Sequence, residues 1–511
     1  MRPLLFAAIV FVLVNSCTNQ TAIVTNDLLL SIDFDKNRES AFSEEIVNEL
    51  RYSEGIKGRG LYLKDCNKIP TLKNTDTTWF SNSNDFSVSI WVNSSKAVPD
   101  TSIILSNSDF SKKDAGIYGK RRTNKGITLY CYDGAWGWNI GNGKLHYLYE
   151  PIAKHQPIAD YKWHQLAFTH NANLKEIRLF YDGINKAVLH IGDLDDRNFM
   201  SGTPLRIGGD INGSSSCKSF NGTVDELHVW GETLSPQNIK DEFRKYRKVA
   251  DEPELENDVL TIVNWNIWHG GTHYSKEKDG FDGIERTTEL IKNAGADIVL
   301  MQETYGAGSL ISSSLGFYYY EGGSTIGAVW GANLSVMSRF PLEDAYMVEE
   351  RSNYGKNYAF NNCGVKIRLS KKRRVIAFSN WYNRGKPEDL DGALNAWSKL
   401  IDNSDNEPII FGGDFNSVSH LDDGLGKSGH SLLMENAGFT DSYRNLYPDV
   451  AKYPGNSFDT SKARIDYIYF KGKDLKLVEV RPIVSNFKGK GIKTPGYPSD
   501  HLGIVAKFKI N

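Results

Sequence analysis

The sequence predicts a multidomain protein in which an all-β domain precedes a layered α/β domain. Three observations support this prediction. The chain has 511 residues, which is more than one domain usually contains. From residue 28 to about residue 243, short alternating or apolar segments are separated by Gly, Asn, Asp and Ser turns. From residue 259 onward, apolar strand segments alternate with amphipathic helical segments instead.

Composition narrows the class of protein further. The 62 acidic and 60 basic residues give a net charge of -2, so no overall field attracts nucleic acid or an anionic membrane. With 40% hydrophobic and 24% charged residues, the chain is typical of packed domains, and collagen-like, disordered and polytopic membrane proteins are excluded. Five cysteines are too few for a disulfide-stapled scaffold of this size.

Residues 1–17 are predicted to be an export signal. Arg2 is followed by an apolar run over residues 4–14 that is too short to span a bilayer. The next residues, Val14-Asn15-Ser16-Cys17, resemble the lipobox of bacterial lipoproteins, and this resemblance implies lipidation of Cys17. Simple secretory cleavage is the alternative, because Asn15 is unusual in a lipobox. We therefore expect an extracytoplasmic protein, anchored in the periplasm or at the cell surface, that contacts the membrane only through its lipid.

The other four cysteines are Cys66, Cys131, Cys217 and Cys363. In an oxidising compartment they allow three disulfide pairings, between which the sequence does not choose. Four buried free thiols are the alternative.

The N-terminal domain is predicted over residues 27–247, followed by an acidic linker over 248–257. Asp182-Gly183, between two apolar runs, predicts a hairpin. Ser235 and Pro236 are an N-cap and a first helical residue, and they predict a helix that continues to Lys248. Strands are expected at residues 86–92, 126–132, 166–169, 177–181, 205–207 and 223–230.

This domain resembles the laminin-G-like, concanavalin A-like jelly rolls. The resemblance rests on the segments at residues 86–92, 163–168, 179–183 and 224–230, followed by Leu234-Ser235-Pro236. It implies a β-sandwich that binds carbohydrate or protein, sometimes with Ca²⁺, and Asp33 and Asp225 are the predicted Ca²⁺ ligands. The alternative is that both acids are turn or strand-edge residues without a metal. Trp136 and Trp138 are either sugar-stacking residues or core residues.

The C-terminal domain is predicted over residues 258–511. The run Lys371-Lys372-Arg373-Arg374 lies at the tip of a predicted hairpin, where it either grips a phosphate backbone or forms a solvated turn. Helices are expected at residues 284–294 and 390–401. Strands are expected at residues 260–266, 298–303, 365–369, 375–381, 409–414, 465–470 and 501–510.

Five polar clusters fall at the ends of these strands, as a shared pocket at one end of a sheet requires. Hard oxygen ligands, few His and no nearby Cys favour Mg²⁺ or Mn²⁺ over zinc. The clusters are Asn264-Trp265-Asn266, Gln302-Glu303, Asp414-Phe415-Asn416, Arg464-Ile465-Asp466 and Ser499-Asp500-His501.

Taken in this order, the clusters resemble the endonuclease/exonuclease/phosphatase superfamily, and residues 412–417 and 498–501 are the most diagnostic segments. The resemblance implies a DNase-I-like four-layer α/β sandwich that hydrolyses phosphate esters with Mg²⁺ or Mn²⁺. It implies that Glu303, Asn266 and Asp500 hold the metal. The other implied roles are activation of water by Asp414, hydrogen bonding by Asn416, phosphate contact by His501 and orientation of an imidazole by Asp466.

One position departs from the family pattern. Trp381 or Asn380 stands where most relatives have a histidine, and an indole cannot protonate a leaving group at neutral pH. Three interpretations follow: His269, His420 or Tyr382 substitutes, the leaving group departs unassisted, or the domain is inactive. The main hypothesis is an extracytoplasmic Mg²⁺-dependent phosphoesterase with an attached carbohydrate- or protein-binding sandwich. The alternative is a catalytically degenerate adhesion or glycan-binding protein, and the charge balance disfavours a nucleic-acid substrate.

Overall fold

The two domains of the protein are joined through one long β-sheet. The computed structural model describes residues 27–35, 41–42, 50–64, 69–73, 75–94, 102–109, 123–192, 199–209, 220–271, 281–323, 334–348, 351–354, 357–383, 385–423, 429–458, 463–483 and 497–511. Cys17, the predicted lipidation site, lies outside these residues. Within them, no helix has the length and apolar character that a membrane crossing requires.

The N-terminal domain is an all-β sandwich of the jelly-roll type, as predicted. One sheet has the order β2-β3-β13-β4-β9-β10-β11, with β1 also on β13, and the other has the order β12-β5-β6-β7-β8. A single helix, α1 (Pro236–Arg244), follows the last strand. The strands are β1 (Leu28–Ile32), β2 (Arg51–Glu54), β3 (Arg59–Leu63), β4 (Phe86–Asn93), β5 (Ser102–Ser106), β6 (Gly126–Tyr132), β7 (Ala135–Gly141), β8 (His146–Tyr149), β9 (Trp163–Asn171), β10 (Glu176–Tyr181), β11 (Ile184–His190), β12 (Arg206–Ile207) and β13 (Gly222–Trp230).

Local sequence explains several of these elements. Asp182 and Gly183 have φ angles of 51° and 74°, the conformation that a tight β10–β11 hairpin requires. Helix α1 begins at Pro236 with the Ser235 side chain accepting from the backbone N–H of Asn238, but it ends before Lys248. The indoles of Trp136 and Trp138 are buried in the core between the sheets. They are therefore core residues and not an exposed sugar platform.

The C-terminal domain has the four-layer α/β architecture that the sequence predicts. Strands β16-β17-β15-β14-β27-β26 form one sheet and β18-β21-β22-β23-β25-β24 the other. The strands are β14 (Val259–Asn266), β15 (Ile298–Gln302), β16 (Tyr318–Gly322), β17 (Leu334–Ser338), β18 (Leu342–Tyr346), β19 (Arg351–Tyr354), β20 (Asn357–Phe360), β21 (Asn362–Arg368), β22 (Arg374–Trp381), β23 (Ile409–Asp414), β24 (Thr440–Asp441), β25 (Asp466–Lys471), β26 (Leu475–Pro482) and β27 (Ile504–Ile510).

Helices cover the outer faces of both sheets. Helices α3 and α4 pack on the first sheet, and α5, α6 and α8 pack on the second. The predicted helix over residues 390–401 is two helices that meet at Trp397. The helices are α2 (Trp268–Gly271), α3 (Phe281–Asn293), α4 (Ala307–Leu315), α5 (Pro387–Ala396), α6 (Ser398–Asp402), α7 (His420–Asp423), α8 (His430–Asn436) and α9 (Ser442–Leu446).

Strand alternation places the predicted site residues on one side of each sheet. In β14, Leu260 and Ile262 pack in the core between the two sheets, so Asn264 and Asn266 face the same interior. By the same alternation Asp414 follows Ile410 in β23, and Asp466 precedes Ile468 in β25. Each strand therefore changes from apolar to polar on its inward face as it approaches the same end of the sandwich.

The shared sheet forms where β11 of the first domain pairs with β16 of the second. The two strands are parallel and pair from Ala187 with Tyr319 to His190 with Gly322. The Lys186 ammonium lies 4.8 Å from the centre of the Tyr318 ring, and the Ile152 N–H donates to Ser313 Oγ at 2.6 Å. The domain boundary is therefore hydrogen-bonded along its length.

The segment predicted as a linker, residues 248–257, contacts both domains. Glu252 accepts from Lys240 of α1 at 3.0 Å and from Arg368 of β21 at 2.9 Å. Leu255 is buried, and its N–H donates to the Leu369 carbonyl. The boundary residues stay a prediction, but the segment is a packed connection between the two domains.

Two further sequence expectations concern cysteines and the basic turn. Cys131 and Cys363 are free and buried, and since each of the three predicted pairings uses both, none of them forms. Cys66 and Cys217 lie outside the described residues. In the basic turn, Arg373 pairs with Asp258 at 2.8 Å and Arg374 pairs with Glu343 at 3.0 Å. This turn precedes β22, at the opposite end of that strand from Trp381.

Candidate active site

Asn266 connects the two acidic residues at the centre of the site. Its Nδ2 donates to Glu303 Oε1 and to Asp414 Oδ2, both at 3.1 Å, and its Oδ1 accepts from the Trp268 N–H at 2.9 Å. All three side chains are buried. Since Glu303 follows β15 and Asp414 ends β23, this amide links the two sheets where their polar ends meet.

Asp466 and His501 form a hydrogen-bonded dyad beside them. His501 Nδ1 lies 2.9 Å from Asp466 Oδ2, and the Ser457 hydroxyl donates to the same oxygen at 2.6 Å. Burial lowers the pKa of His501, but the carboxylate of Asp466 outweighs that effect and the pKa rises to about 10. The imidazole is therefore protonated at neutral pH, and its Nε2 is directed toward Asp414 Oδ2 at 4.0 Å.

Asp414 is held by the backbone and side chain of Asn416. The Asn416 N–H donates to Asp414 Oδ1 at 2.8 Å, and Asn416 Nδ2 donates to Asp414 Oδ2 at 3.2 Å. Asn416 adopts a left-handed φ of 48°, which costs energy in a non-glycine residue. Burial raises the pKa of Asp414 to about 7, although the neighbouring His501 opposes the rise.

Glu303 and His269 form the other side of the site. Both residues have left-handed backbones, with φ of 56° and 51°, so two strained turns bring them together. The His269 N–H donates to Glu303 Oε2 at 3.2 Å, and His269 Nε2 lies 3.6 Å from the same oxygen. Burial raises the pKa of Glu303 and lowers the pKa of His269.

The donor set fits a hard divalent cation. Asp500 Oδ1 is buried and accepts no hydrogen bond, with His501 Nε2 3.8 Å away, so this oxygen is available to a cation. Burial raises the pKa of Asp500 to about 6, with His501 opposing and the negative charge of Glu303 adding to the rise. Asp414, Asp466 and His501 also offer one ligand atom each, all within 4.8 Å of one another. Asp466 already binds His501 Nδ1. The metal ligands expected from the sequence, Glu303, Asn266 and Asp500, stay a prediction.

Two supporting residues, Ser379 and Ser457, were missed by the sequence analysis. Below the acidic residues, Gln302 Nε2 donates to Asn264 Oδ1 at 3.0 Å and to Ser379 Oγ at 2.9 Å. Ser499 Oγ donates to the Asn266 carbonyl and accepts from the His501 N–H. Ser499 belongs to the predicted cluster Ser499-Asp500-His501, but no pattern in the sequence identifies Ser457.

The three proposed substitutes for the missing histidine lie in different places. His269 is at the site. His420 bonds Ser431 Oγ at 2.8 Å and Glu435 Oε2 at 2.8 Å, and it lines a cavity on the helix side of the second sheet. The Tyr382 ring packs among the aromatic residues of the same outer layer. Its backbone N–H nevertheless donates to the Asp414 carbonyl at 2.9 Å, and its carbonyl accepts from Asn416 Nδ2 at 3.1 Å. The side chains of His420 and Tyr382 therefore lie away from the acidic side chains.

The two predicted calcium ligands lie in the sandwich. Asp225 Oδ2 accepts from the backbone N–H groups of Ile56 and Lys57, and Oδ1 accepts from that of Glu226. Asp33 Oδ1 accepts from the Asp35 N–H at 3.3 Å. Backbone amides therefore already occupy the Asp225 carboxylate, and Ca²⁺ binding there stays a prediction.

Comparison with known proteins supports both halves of this description. Residues 263–501 match the Endonuclease/Exonuclease/phosphatase family, and residues 70–240 match the Concanavalin A-like lectin/glucanases superfamily. The C-terminal half thus carries a domain of the class that hydrolyses phosphoester bonds, and the N-terminal part carries a concanavalin A-like domain.

The similar proteins are distant in sequence. An uncharacterized Caenorhabditis elegans protein is 22% identical over 303 residues, which cover 49% of this chain and 91% of that protein. A Leptotrichia buccalis endonuclease/exonuclease/phosphatase family protein is 18% identical, with a TM-score of 0.36 over 49% of this chain and 100% of that one. The human Nocturnin catalytic domain with bound sulfate is 16% identical, with a TM-score of 0.36 over 51% and 97%. D. rerio TDP2 complexed with a single-strand DNA product is 15% identical, with a TM-score of 0.34 over 49% and 98%.

Proposed function

We propose that this protein is an extracytoplasmic, Mg²⁺-dependent phosphoesterase whose β-sandwich binds carbohydrate or protein. The observation that carries the proposal is the arrangement of Asp414, the Asp466–His501 dyad and Glu303 in one buried cluster. A phosphorus centre is shielded by anionic oxygens, so hydrolysis needs positive charge, an aligned water and a stabilised leaving oxygen. The cluster contains groups for the first two of these requirements.

Each side chain has a role that follows from its partners. Glu303, Asn266 and Asp500 would hold Mg²⁺ or Mn²⁺, which would supply positive charge to the phosphoryl oxygens. Asp414, with a pKa near 7, accepts the proton of the attacking water, and Asn416 fixes the orientation of that carboxylate. His501 is cationic, and Asp466 fixes its Nδ1, so Nε2 is free to donate to a phosphoryl oxygen.

The site is least complete where the leaving oxygen of the substrate would be protonated. Trp381 cannot protonate it, and His269 is the one imidazole of the three substitutes that reaches the acidic residues. The proposed substrates are therefore phosphodiesters or phosphomonoesters whose leaving group departs readily or is assisted by His269. The near-zero net charge disfavours nucleic acid as the substrate.

Hydrolysis of bis-p-nitrophenyl phosphate with and without Mg²⁺ tests this proposal. We expect Mg²⁺-dependent release of nitrophenol, and we expect Glu303→Ala and Asp414→Ala each to lower the rate by about 10² to 10⁴. His420→Ala is the matched control, since its side chain bonds Ser431 and Glu435 outside the cluster. Equal rates in wild type, Glu303→Ala and Asp414→Ala would rule the proposal out.

A degenerate adhesion or glycan-binding protein is the second candidate, because Trp381 replaces the family histidine. Calorimetric titration with Mg²⁺ separates the two functions. A working site binds the ion, and Asp500→Asn weakens that binding; a degenerate site gives no heat in either protein.

The proposed location rests on residues 1–17. Metabolic labelling with a fatty acid analogue should mark the wild-type chain and not Cys17→Ser. Export without labelling would favour simple secretion.

A further inference from the structure

Asn361 is a fully buried amide whose side chain has no hydrogen-bond partner. It has no exposed surface, and neither Nδ2 nor Oδ1 is paired. A buried polar group without partners lowers stability, so an amide in this state invites a functional explanation. The sequence analysis did not single out this residue.

The position of Asn361 places it beside the candidate active site. Its carbonyl accepts from the Trp381 N–H at 2.9 Å, which continues the β21–β22 ladder by one residue. Trp381 in turn pairs with Asp414 across β22 and β23. Since neighbouring strands lie about 4.8 Å apart, Asn361 is two strands, or about 10 Å, from the proposed base.

Strand alternation indicates the direction of the Asn361 side chain. Cys363, Val365 and Ile367 of β21 pack in the core between the two sheets. Asn361 lies two residues before Cys363 and therefore faces the same interior as Trp381 and Asp414. Asn362, with the opposite direction, accepts from the Val348 N–H through its Oδ1.

We propose that Asn361 is a specificity-determining residue that binds the alcohol portion of the phosphate ester. The proposal rests on the proposed function. With the phosphate held at Asp414 and His501, the proposal requires the leaving alcohol to extend along the inner face of the sheet past Trp381, which pairs with both Asp414 and Asn361. A carboxamide offers one donor group and one acceptor and carries no charge. It therefore matches hydroxyl groups, which both donate and accept, and the structure points to a sugar or polyol phosphate as the substrate class.

The test compares two substrates in wild type and in Asn361→Leu. Bis-p-nitrophenyl phosphate has no hydroxyl group to bind, whereas bis-glycerol phosphate and glucose 1-phosphate do. We expect Asn361→Leu to lower kcat/KM by about tenfold on the hydroxyl-bearing esters and to leave the nitrophenyl diester within about twofold. The same variant should unfold at a higher temperature, because an unpaired buried amide has been removed.

Asn361→Asp and Asn362→Asp provide a matched pair. Both introduce a carboxylate in place of a buried amide in neighbouring residues, and both keep one oxygen acceptor. We expect Asn361→Asp to lower kcat/KM on all anionic esters and Asn362→Asp to leave it unchanged, because only Asn361 faces the interior that contains Asp414.

The outcomes separate this inference from the proposed function. If wild type hydrolyses the nitrophenyl diester but none of the hydroxyl-bearing esters, or if Asn361→Leu affects both substrate types equally, Asn361 is not a specificity residue and the phosphoesterase proposal stands. If wild type hydrolyses no ester at all while Mg²⁺ is present, the proposed function fails and the inference fails with it.

Discussion

Asp225 of the sandwich and Asp414 of the α/β domain are buried to the same degree and differ in their partners. Neither is more than 1% exposed, and burial raises the pKa of each to about 7. Asp225 accepts from three backbone N–H groups. Asp414 accepts from one backbone N–H and from the side chains of Asn266 and Asn416, and it faces His501. Burial and a raised pKa are therefore common to Asp225 and to the proposed base Asp414, and the hydrogen-bond partners are what differ between them.

Replacing each carboxylate with an amide should give the largest difference between the two positions. Asp414→Asn should lower phosphoesterase turnover by about 10² or more, because the general base is lost. Asp225→Asn should keep turnover and lower the free energy of unfolding by about 1–3 kcal/mol, since its new NH₂ group faces backbone donors. Kinetics and urea unfolding on both variants measure the two effects, and loss of turnover in both would remove the distinction.

Separation of the two domains tests whether the sandwich stabilises the C-terminal domain. A chain of residues 258–511 lacks β11, so the backbone groups of β16 lose their partners and form an open sheet edge. We expect this fragment to self-associate and to unfold at a lower temperature than the whole chain. Size-exclusion chromatography and thermal unfolding report both properties. A monomeric fragment of unchanged stability would show that β11 contributes nothing to the second domain.

Asp225 and Asp414 should affect the pH dependence of the free energy of unfolding in the same way. Each binds a proton up to about pH 7 in the folded protein, but releases it near pH 4 when unfolded. The folded state thus holds more protons between these values, and both groups make the free energy of unfolding fall as the pH rises from about 4 to 7. Asp225→Asn and Asp414→Asn should each remove part of that slope. Urea unfolding at pH 4.5, 5.5, 6.5 and 7.5 measures it, and a slope unchanged in either variant would contradict the burial argument.

His501 gives an effect of the same sign at higher pH. Its folded pKa of about 10 exceeds the usual value of 6.5, so its contribution to stability is complete below about pH 6.5 and is lost as the pH rises toward 10. In His501→Gln, stability should therefore decline less between pH 7 and 10 than in wild type. Urea unfolding at pH 7, 8 and 9 checks this, and parallel curves would indicate an unshifted imidazole.

Local sequence was enough to predict the strand ends that carry Asn266, Glu303, Asp414, Asp466 and His501, because apolar runs that stop at polar residues are visible in any short window. It was also enough for the Asp182-Gly183 hairpin and the Ser235 cap. The contacts that the sequence left open join distant segments. Nothing near Ser457 indicates that its hydroxyl meets Asp466, and the direction of Asn361 depends on the register of β21 against β22. The location of His420 on the helix side of the second sheet could not be predicted for the same reason, since adjacency to a site segment does not fix the face on which a side chain lies.

The parallel pairing of β11 with β16 has a geometric consequence for recognition. Two domains on a flexible tether sample many relative orientations, but two domains that share a sheet hold a fixed spacing and angle. Under the proposed function, a ligand bound by the sandwich would present to the active site only those phosphate groups that lie at one set distance and direction from Asp414. The shared sheet would then select substrates by their shape and length in addition to their chemistry.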